Sequence, residues 1–383
     1  MAETKRSLRR WTVILVYFLV VLVVLLLIVR VDVGSWLHLG DVHSDATTSV
    51  ITLESPRRED ATSRDESLQY VPQNVVRAWS ERDYLIVFGI PSVDIDVRRR
   101  RRYLQRSTCW RFPGVATRAN NFTGAMLVLY VFGRHPSHNF TYSASLQREA
   151  AEWHDVIALP MNEGRPFTNG AAGSSGYWNI EVGVGLSRKV FVWFELALRL
   201  FPYGMYIAKG DDDMILRVPQ FLADLRTLPR RRVYWGTIYI PRVWRNNTSV
   251  RFPFAFGACY TLSRDVAHQF VSYGPLERLV RIPYAKELDT QYVNMEVHSE
   301  DAMVGLALKK SGYARRLVLV REPRCSFHDI HSGPAMGFVQ SSSVMVHHLW
   351  ESDYEELMRR FRNVSRTVPR HRKIMRRRIE FVC

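Results

Sequence analysis

Three consecutive aspartates, Asp211, Asp212 and Asp213, are the side chains of this sequence best suited to chemistry. Apolar runs at residues 205–208 and 214–216 enclose them, which predicts that the triplet lies where a buried strand ends. Adjacent carboxylates repel one another and need a compensating cation, and Mn²⁺ and Mg²⁺ take oxygen ligands. A metal held by one or two carboxylates typically bridges to substrate phosphates. The alternative is a solvated acidic turn.

The elements that must position the triplet follow from hydrophobic periodicity. Apolar runs at residues 85–90 and 125–132 predict buried strands, and residues 155–157 start a third. Residues 185–201 show one apolar helical face, and Tyr206 begins the strand that leads to the triplet. A helix, a short turn and a strand in this order indicate an α/β fold with a mostly parallel sheet, in which ligands gather at the carboxyl ends of strands.

Two elements complete this pattern near the end of the chain. Residues 233–240 predict another strand, and residues 350–361 predict an amphipathic helix. Ser352 and Glu355 have the spacing of a capping box at the start of that helix.

The N-terminal region predicts a membrane anchor. Residues 11–29 are uncharged, apolar and about 28 Å long as a helix, close to the hydrocarbon thickness of a bilayer. Basic residues precede the segment, so the positive-inside rule predicts a cytosolic tail at 1–10, a transmembrane signal-anchor at 11–29, a stem at 30–80 and a lumenal domain at 81–383. A cleaved signal peptide is the alternative, although its apolar region usually has about 7–15 residues.

The stem and the acceptor tripeptides agree with that topology. The polar, aperiodic composition of the stem predicts a flexible stalk. Candidate glycosylation sites are Asn121, Asn139, Asn246, Asn247 and Asn363. Four cysteines allow three full pairings, and one or two disulfides are expected in an oxidising compartment. These features predict a single-pass type II membrane glycoprotein with its main domain in the lumen.

The formal charge of +16 raises the question of nucleic-acid binding. The arginine run 98–102 and the basic C-terminus attract polyanions, but aromatic residues are not interleaved as a stacking platform requires. A lumenal domain also meets no genome. We therefore expect no nucleic-acid partner, and interpret the charge as a solvated face, a contact with anionic headgroups, or an attraction for a negatively charged nucleotide.

Short motifs recur in a fixed order between Leu85 and Phe361. They are Arg102, Leu104, Arg106, Thr108 and Trp110; Glu149 with Asp155-Val156-Ile157; Leu186 and Lys189; Tyr206, Lys209 and Asp211; Phe252-Pro253-Phe254, Gly257 and Tyr260; Glu300-Asp301 with Gly305; and Val346-His347. In this order and spacing the chain resembles the β1,3-galactosyltransferase and β1,3-N-acetylglucosaminyltransferase family, with its divergent, kinetoplastid-like members nearest in pattern. Ala255 departs from the family cysteine, so that disulfide is lost or rerouted through Cys259.

The resemblance implies a fold, a reaction and a location in the Golgi membrane with the catalytic domain in the lumen. The fold would be GT-A-like, a nucleotide-sugar-binding α/β architecture preceded by the transmembrane helix. The reaction would be inverting transfer of galactose or N-acetylglucosamine from a UDP-sugar to a glycan acceptor hydroxyl on a glycoprotein or glycolipid, with a β1,3 linkage and Mn²⁺ or another divalent cation as cofactor.

The resemblance also implies roles for individual residues. Asp213 would bind the metal, with His347 as a candidate second ligand, unless His348 serves instead or His347 is a buried histidine bonded to backbone. Asp211 or Asp212 would hold the ribose or the waters of the metal.

The remaining roles concern the proton and the phosphate charge. Asp301 would act as general base and Glu300 would orient a neighbouring group, although an acidic pair also suits a helix N-terminus. Arg106, Lys189 and Lys209 would stabilise donor phosphate charge, or are ordinary surface cations.

Three other function classes fit parts of the pattern. A catalytically inactive glycan-binding module would keep the fold without a metal. A basic membrane-anchored scaffold protein would bind polyanions without a saturable nucleotide site. A glycoside hydrolase also uses two carboxylates, and it would cleave glycans with no nucleotide present.

Overall fold

The computed structural model describes residues 65–167, 178–245, 248–362 and 367–383. The helices of this part are α1 (Gln73–Ser80), α2 (Asp96–Ser107), α3 (Ala144–Trp153), α4 (Ile180–Leu200), α5 (Val218–Arg226), α6 (Arg264–Val271), α7 (Gly274–Arg281), α8 (Asp289–Asn294), α9 (Glu300–Lys310) and α10 (Glu351–Arg362).

The strands alternate with these helices along the chain. They are β1 (Ile86–Pro91), β2 (Val115–Ala116), β3 (Met126–Arg134), β4 (Val156–Asn162), β5 (Tyr206–Gly210), β6 (Met214–Leu216), β7 (Val233–Tyr239), β8 (Arg242–Arg245), β9 (Thr248–Arg251), β10 (Phe254–Ser263), β11 (Val318–Arg321), β12 (Phe327–Asp329), β13 (Met345–His347), β14 (Arg372–Met375) and β15 (Arg378–Phe381).

Ten of the described strands form one central sheet in the order β14-β15-β11-β7-β10-β5-β1-β3-β2, with β4 also paired to β3. The pairs joining β5, β1, β3, β2 and β4 are parallel, whereas β10 runs antiparallel to both β5 and β7. Strands β7, β11 and β15 are again parallel, and β14 closes the edge antiparallel. The fold is therefore mixed α/β with a mostly parallel central sheet.

Both faces of this sheet are covered, which explains the continuous apolar runs. Val87 and Ile207 belong to one apolar core, whereas Phe88 and Ala208 belong to the other. Successive side chains of a strand point to opposite faces, so a strand buried on both sides must be apolar at every position.

Helix α4 fixes the strand that leads to the aspartates. Asn179 accepts a hydrogen bond from the Val182 amide at the start of the helix. Near the middle, the Trp193 Nε1 donates to the Ala208 carbonyl of β5 at 3.0 Å. The indole lies so close to Gly89 of β1 that a Cβ atom there would be 2.1 Å from it, so only glycine fits at this position.

No helix within the described ranges combines the length and apolar character needed to cross a bilayer. The prediction of a fold preceded by a transmembrane signal-anchor is therefore corrected, and so are the predicted single-pass type II topology and Golgi membrane location, for which the structure gives no support. The predicted cytosolic tail and the predicted anchor at 11–29 lie outside the described residues.

Two local predictions also need correction. The end of the predicted stem is ordered: α1 buries Val75 and Trp79 in one of the two cores, and the rest of the stem before residue 65 lies outside the described residues. Helix α10 begins at Glu351, so Ser352 is already inside it, and the Asp353 carboxylate accepts a hydrogen bond from the Trp350 amide at 2.6 Å instead of a capping box.

One disulfide forms, between Cys325 and Cys383. Cys109 and Cys259 are buried free thiols. The disulfide suggested at Ala255 is therefore lost and is not rerouted through Cys259.

Candidate active site

The aspartate triplet follows β5 directly, at the end of a buried strand as predicted. Its three side chains divide between two sets of partners. Asp212 is buried, accepts a hydrogen bond from the Ser92 hydroxyl at 2.6 Å and pairs with Arg98. Asp211 and Asp213 point instead toward His347. The triplet is therefore split into one anchored carboxylate and two carboxylates that share a neighbour.

His347 is brought to the triplet by a small second sheet. Strand β13 pairs antiparallel with β6, which places His347 opposite Met214, the residue after the triplet. The His347 Nε2 lies 3.0 Å from Asp213 Oδ1 and 3.3 Å from Asp211 Oδ2. One ligand atom from each of Asp211, Asp213 and His347 falls within 4.8 Å of the others.

The other side of the His347 ring is held by a residue that the sequence did not reveal. Strand β12 pairs parallel with β13 and places Asp329 beside His347 in the register. The His347 Nδ1 contacts Asp329 Oδ1 at 2.8 Å, so Nε2 faces the two triplet carboxylates. His348, the other candidate, contacts the Ser332 carbonyl through Nδ1 at 2.5 Å. With Asp329 and His347 it forms a second group whose ligand atoms lie within 4.8 Å of one another.

Charge compensation at this cluster is strong. Burial would raise the pKa of Asp211, but Lys209 and His347 lower it to about 2. Burial opposes ionisation of Asp213 too, yet His347, Arg98 and Arg101 hold its pKa well below the ordinary value. Burial would lower the pKa of His347, but its bonds to Asp211, Asp213 and Asp329 raise it well above 6.5. In this arrangement the imidazolium compensates the two carboxylates together with Lys209, Arg98 and Arg101.

The donor set fits a divalent ion. Two carboxylates and one imidazole nitrogen suit Mn²⁺ and similar metals once Nε2 has lost its proton. Metal-ligating histidines almost always donate the other ring N–H to a carboxylate or carbonyl, and Asp329 has that relation to His347. The cluster of Asp211, Asp213 and His347, called the Asp/His cluster below, is thus a candidate metal site.

Lys209 connects the triplet to the predicted acidic pair. Its buried Nζ contacts Asp211 Oδ1 at 2.6 Å and Glu300 Oε1 at 2.7 Å. Glu300 also accepts a hydrogen bond from the Tyr260 hydroxyl at 3.0 Å, and burial, only partly offset by Lys209, raises the pKa of Glu300 to about 7. Glu300 therefore fixes Lys209, and through it Asp211. Lys209 is a buried cation and not a surface one.

Asp301 is the second residue of helix α9 and is less buried than Glu300. Its Oδ2 accepts a hydrogen bond from the Gly257 amide at 3.2 Å, and its Oδ1 accepts from the Ser299 hydroxyl and the Ala302 amide, each at 2.8 Å. The acidic pair thus occupies a helix N-terminus, as the alternative interpretation has it, and Asp301 also faces a cavity.

Two cavities meet at the Asp/His cluster. The larger one, of about 380 Å³, is lined by all three aspartates, Arg98, Arg101, Lys189, Trp178 and Trp350. The smaller one, of about 210 Å³, is lined by Asp301, Phe256, Thr237 and His328. Asp211, His347 and His348 line both. The larger cavity therefore contains four cations beside the three aspartates and Glu300, and Asp301 lines the smaller cavity.

The predicted phosphate-binding cations have separate positions. The Lys189 Nζ contacts the Glu163 carboxylate and the Ser92 carbonyl at the wall of the larger cavity. Arg106 is not brought to the triplet: it lines a different cavity of about 840 Å³. Its guanidinium is fully engaged by Glu149 and Asp155, at 2.7 Å each, and lies over the Tyr130 ring. Arg106 therefore has the contacts of a structural ion cluster.

Arg98 and Arg101 are site residues that the sequence interpretation missed, because the run 98–102 was taken as a charged surface or a general anion attractant. Helix α2 places Arg98 and Arg101 one turn apart, where Arg101 contacts Asp213 Oδ2 at 2.9 Å. The helical spacing of three residues was the available signal.

Comparison with known proteins found no family model that matches the chain and no curated protein with significant similarity to it.

Proposed function

We propose that this chain is a divalent-metal-dependent glycosyltransferase that moves galactose or N-acetylglucosamine from a UDP-sugar to an acceptor hydroxyl, with inversion at the transferred carbon. The observation that carries this proposal is the convergence of Asp211, Asp213 and His347 Nε2 between two cavities, one rich in cations and the other containing Asp301. The motif order described from the sequence supports the choice of a sugar nucleotide.

The larger cavity has the charge pattern that a diphosphate needs. A divalent ion bound at the Asp/His cluster would neutralise charge on the departing diphosphate. Arg101 and Lys189 border the same cavity, and preorganised cations of this kind stabilise charge that develops in a transition state. Asp212 is already engaged by Ser92 and Arg98. Its role is therefore to hold the residue after β1 and the first turn of α2 against the triplet.

Asp301 would act as the general base. Inverting transfer requires a base on the face of the sugar opposite to the leaving group, and Asp301 lines the smaller cavity, which Arg101 and Lys189 do not line. Three hydrogen bonds orient its carboxylate before an acceptor arrives. Glu300 acts indirectly, because it holds Lys209 against Asp211.

The proposal is tested by incubating the full chain with a panel of UDP-sugars, Mn²⁺ and candidate acceptor glycans while UDP release is measured. We expect one UDP-sugar to be consumed, with release stimulated by an acceptor and abolished by Asp213→Asn. Asp96→Asn is the matched control, because that carboxylate is 86% exposed and lies outside both cavities. Failure to release UDP from any donor would contradict the proposal, and glycan cleavage without a nucleotide would replace it by hydrolysis.

A further inference from the structure

A stacked pair of rings stands at the rim of the larger cavity. The imidazole of His331 and the indole of Trp350 are parallel within 3°, with centroids 3.7 Å apart. Both residues line the cavity, and Trp350 nevertheless keeps 63% of its surface exposed. Because His331 covers one face of the indole, an exposure this large requires the opposite face to be open.

The pair is held rigid by one carboxylate. Asp353 Oδ2 accepts the hydrogen bond of the Trp350 amide at 2.6 Å and contacts His331 Nε2 at 2.7 Å. Asp353 therefore fixes the indole in two ways, through the Trp350 backbone amide and through the His331 ring that covers one face. A large exposed aromatic side chain with so much support has the preorganisation that lowers the entropy cost of binding a flat ligand.

The position of Trp350 relative to the cluster limits what that ligand can be. The preceding residue, Leu349, donates its amide to the Asp213 carbonyl at 3.1 Å, and Trp350 lines the same cavity as the candidate metal ligands. It lines the cation-rich cavity with Arg98 and Arg101, and it is not among the residues lining the cavity of Asp301. A flat group next to the diphosphate, in the cavity that Asp301 does not line, would be the nucleobase of the donor.

We infer that Trp350, backed by His331 and Asp353, forms a stacking platform for the uracil ring of the donor nucleotide. This inference rests on the proposed function and adds the residue that binds the base. Stacking on an aromatic side chain does not require a particular hydrogen-bond pattern. The platform therefore supplies affinity for the pyrimidine ring, and other residues select the sugar.

The test compares UDP with inorganic pyrophosphate, which lacks a base. Calorimetry with Mn²⁺ is expected to show that Trp350→Ala weakens UDP binding about 5- to 150-fold, the range for loss of one base–aromatic stack, and leaves pyrophosphate binding unchanged. Trp350→Phe, which keeps a flat ring, is expected to retain most of the UDP affinity. Tyr203→Ala is the matched control, because Tyr203 is 62% exposed and lines neither cavity.

The other possible results contradict either the stacking platform alone or the platform and the proposed function together. Equal losses for UDP and pyrophosphate in Trp350→Ala would mean that Trp350 supports the cluster and does not bind the base. Unchanged UDP affinity in that variant, with normal Mn²⁺-dependent binding by the unaltered chain, would overturn the platform while the proposed function stands. Absence of any Mn²⁺-dependent UDP binding by the unaltered chain would overturn both.

Discussion

The contact between Asp329 and His347 gives the sharpest prediction about the candidate metal site. Asp329 Oδ1 lies 2.8 Å from His347 Nδ1 and therefore keeps a proton on that nitrogen. Once Nε2 has lost its own proton, its lone pair is directed at Asp211 and Asp213. In Asp329→Asn, an amide N–H can face Nδ1, which favours the tautomer with its proton on Nε2. That proton points at the place where a metal must bind.

The expected magnitude follows from this geometry. Removing the partner of a metal-ligating histidine typically lowers metal affinity by about 10- to 100-fold, equivalent to about 1.4–2.8 kcal/mol of binding free energy. Asp329→Asn should fall in this range or exceed it, and it should impair Mn²⁺ binding at least as strongly as Asp329→Ala, which leaves the tautomer of His347 free to change. The side-chain oxygen of asparagine can still accept the hydrogen bond that the Ala335 amide now donates to Asp329 Oδ2.

Mn²⁺ titration calorimetry on the full chain is the assay, with thermal unfolding measured on the same samples. Asp265→Asn is the control, since Asp265 also accepts several hydrogen bonds but contacts Ser263, Arg232 and Tyr313 away from the cluster. Mn²⁺ affinity that is the same in Asp329→Asn and in the unaltered chain would refute the reasoning that Asp329 orients His347.

Two further predictions concern proton transfer and pH. Asp301→Asn should keep Mn²⁺-dependent UDP binding while the transfer rate falls about 10²- to 10⁴-fold, as for loss of a general base; an unchanged rate constant in single-turnover measurements would move the base elsewhere. With a chelator present, the free energy of unfolding should decline as pH rises above 7. Although burial opposes it, the three carboxylate partners raise the folded-state pKa of His347 well above its unfolded value of 6.5. The protonated ring therefore stabilises the fold fully below pH 6.5, and this contribution is lost as the pH rises through the folded-state pKa. Denaturant titrations at several pH values should show this slope and its reduction in His347→Gln, and an identical slope in that variant would contradict the assignment.

Local sequence signals predicted the elements around the triplet well. Tyr206 begins β5 as expected, and the run at 85–90 corresponds to β1 (Ile86–Pro91). These predictions succeeded because a strand buried on both faces must be apolar throughout, which the sequence displays directly. The position of the aspartates at the end of such a strand follows from the same pattern.

The parts that failed depend on partners far away in the chain. Asp329 is separated from the triplet by more than a hundred residues, and only the pairing of β12 with β13 brings it to His347. Arg106 is assigned to the donor from the resemblance, and the sequence spacing does not show that Glu149 and Asp155 are its partners. Helix α1 was missed because a few apolar residues, Val75 and Trp79 among them, are diluted by polar neighbours.

The central claim is that a divalent ion at the Asp/His cluster allows a diphosphate to bind between Arg101 and Lys189. The most direct measurement is the affinity of the full chain for UDP, determined by calorimetry with Mn²⁺ and again after the metal is chelated. We predict saturable UDP binding with Mn²⁺ and its loss with chelator. Equal UDP affinity under the two conditions would contradict the claim.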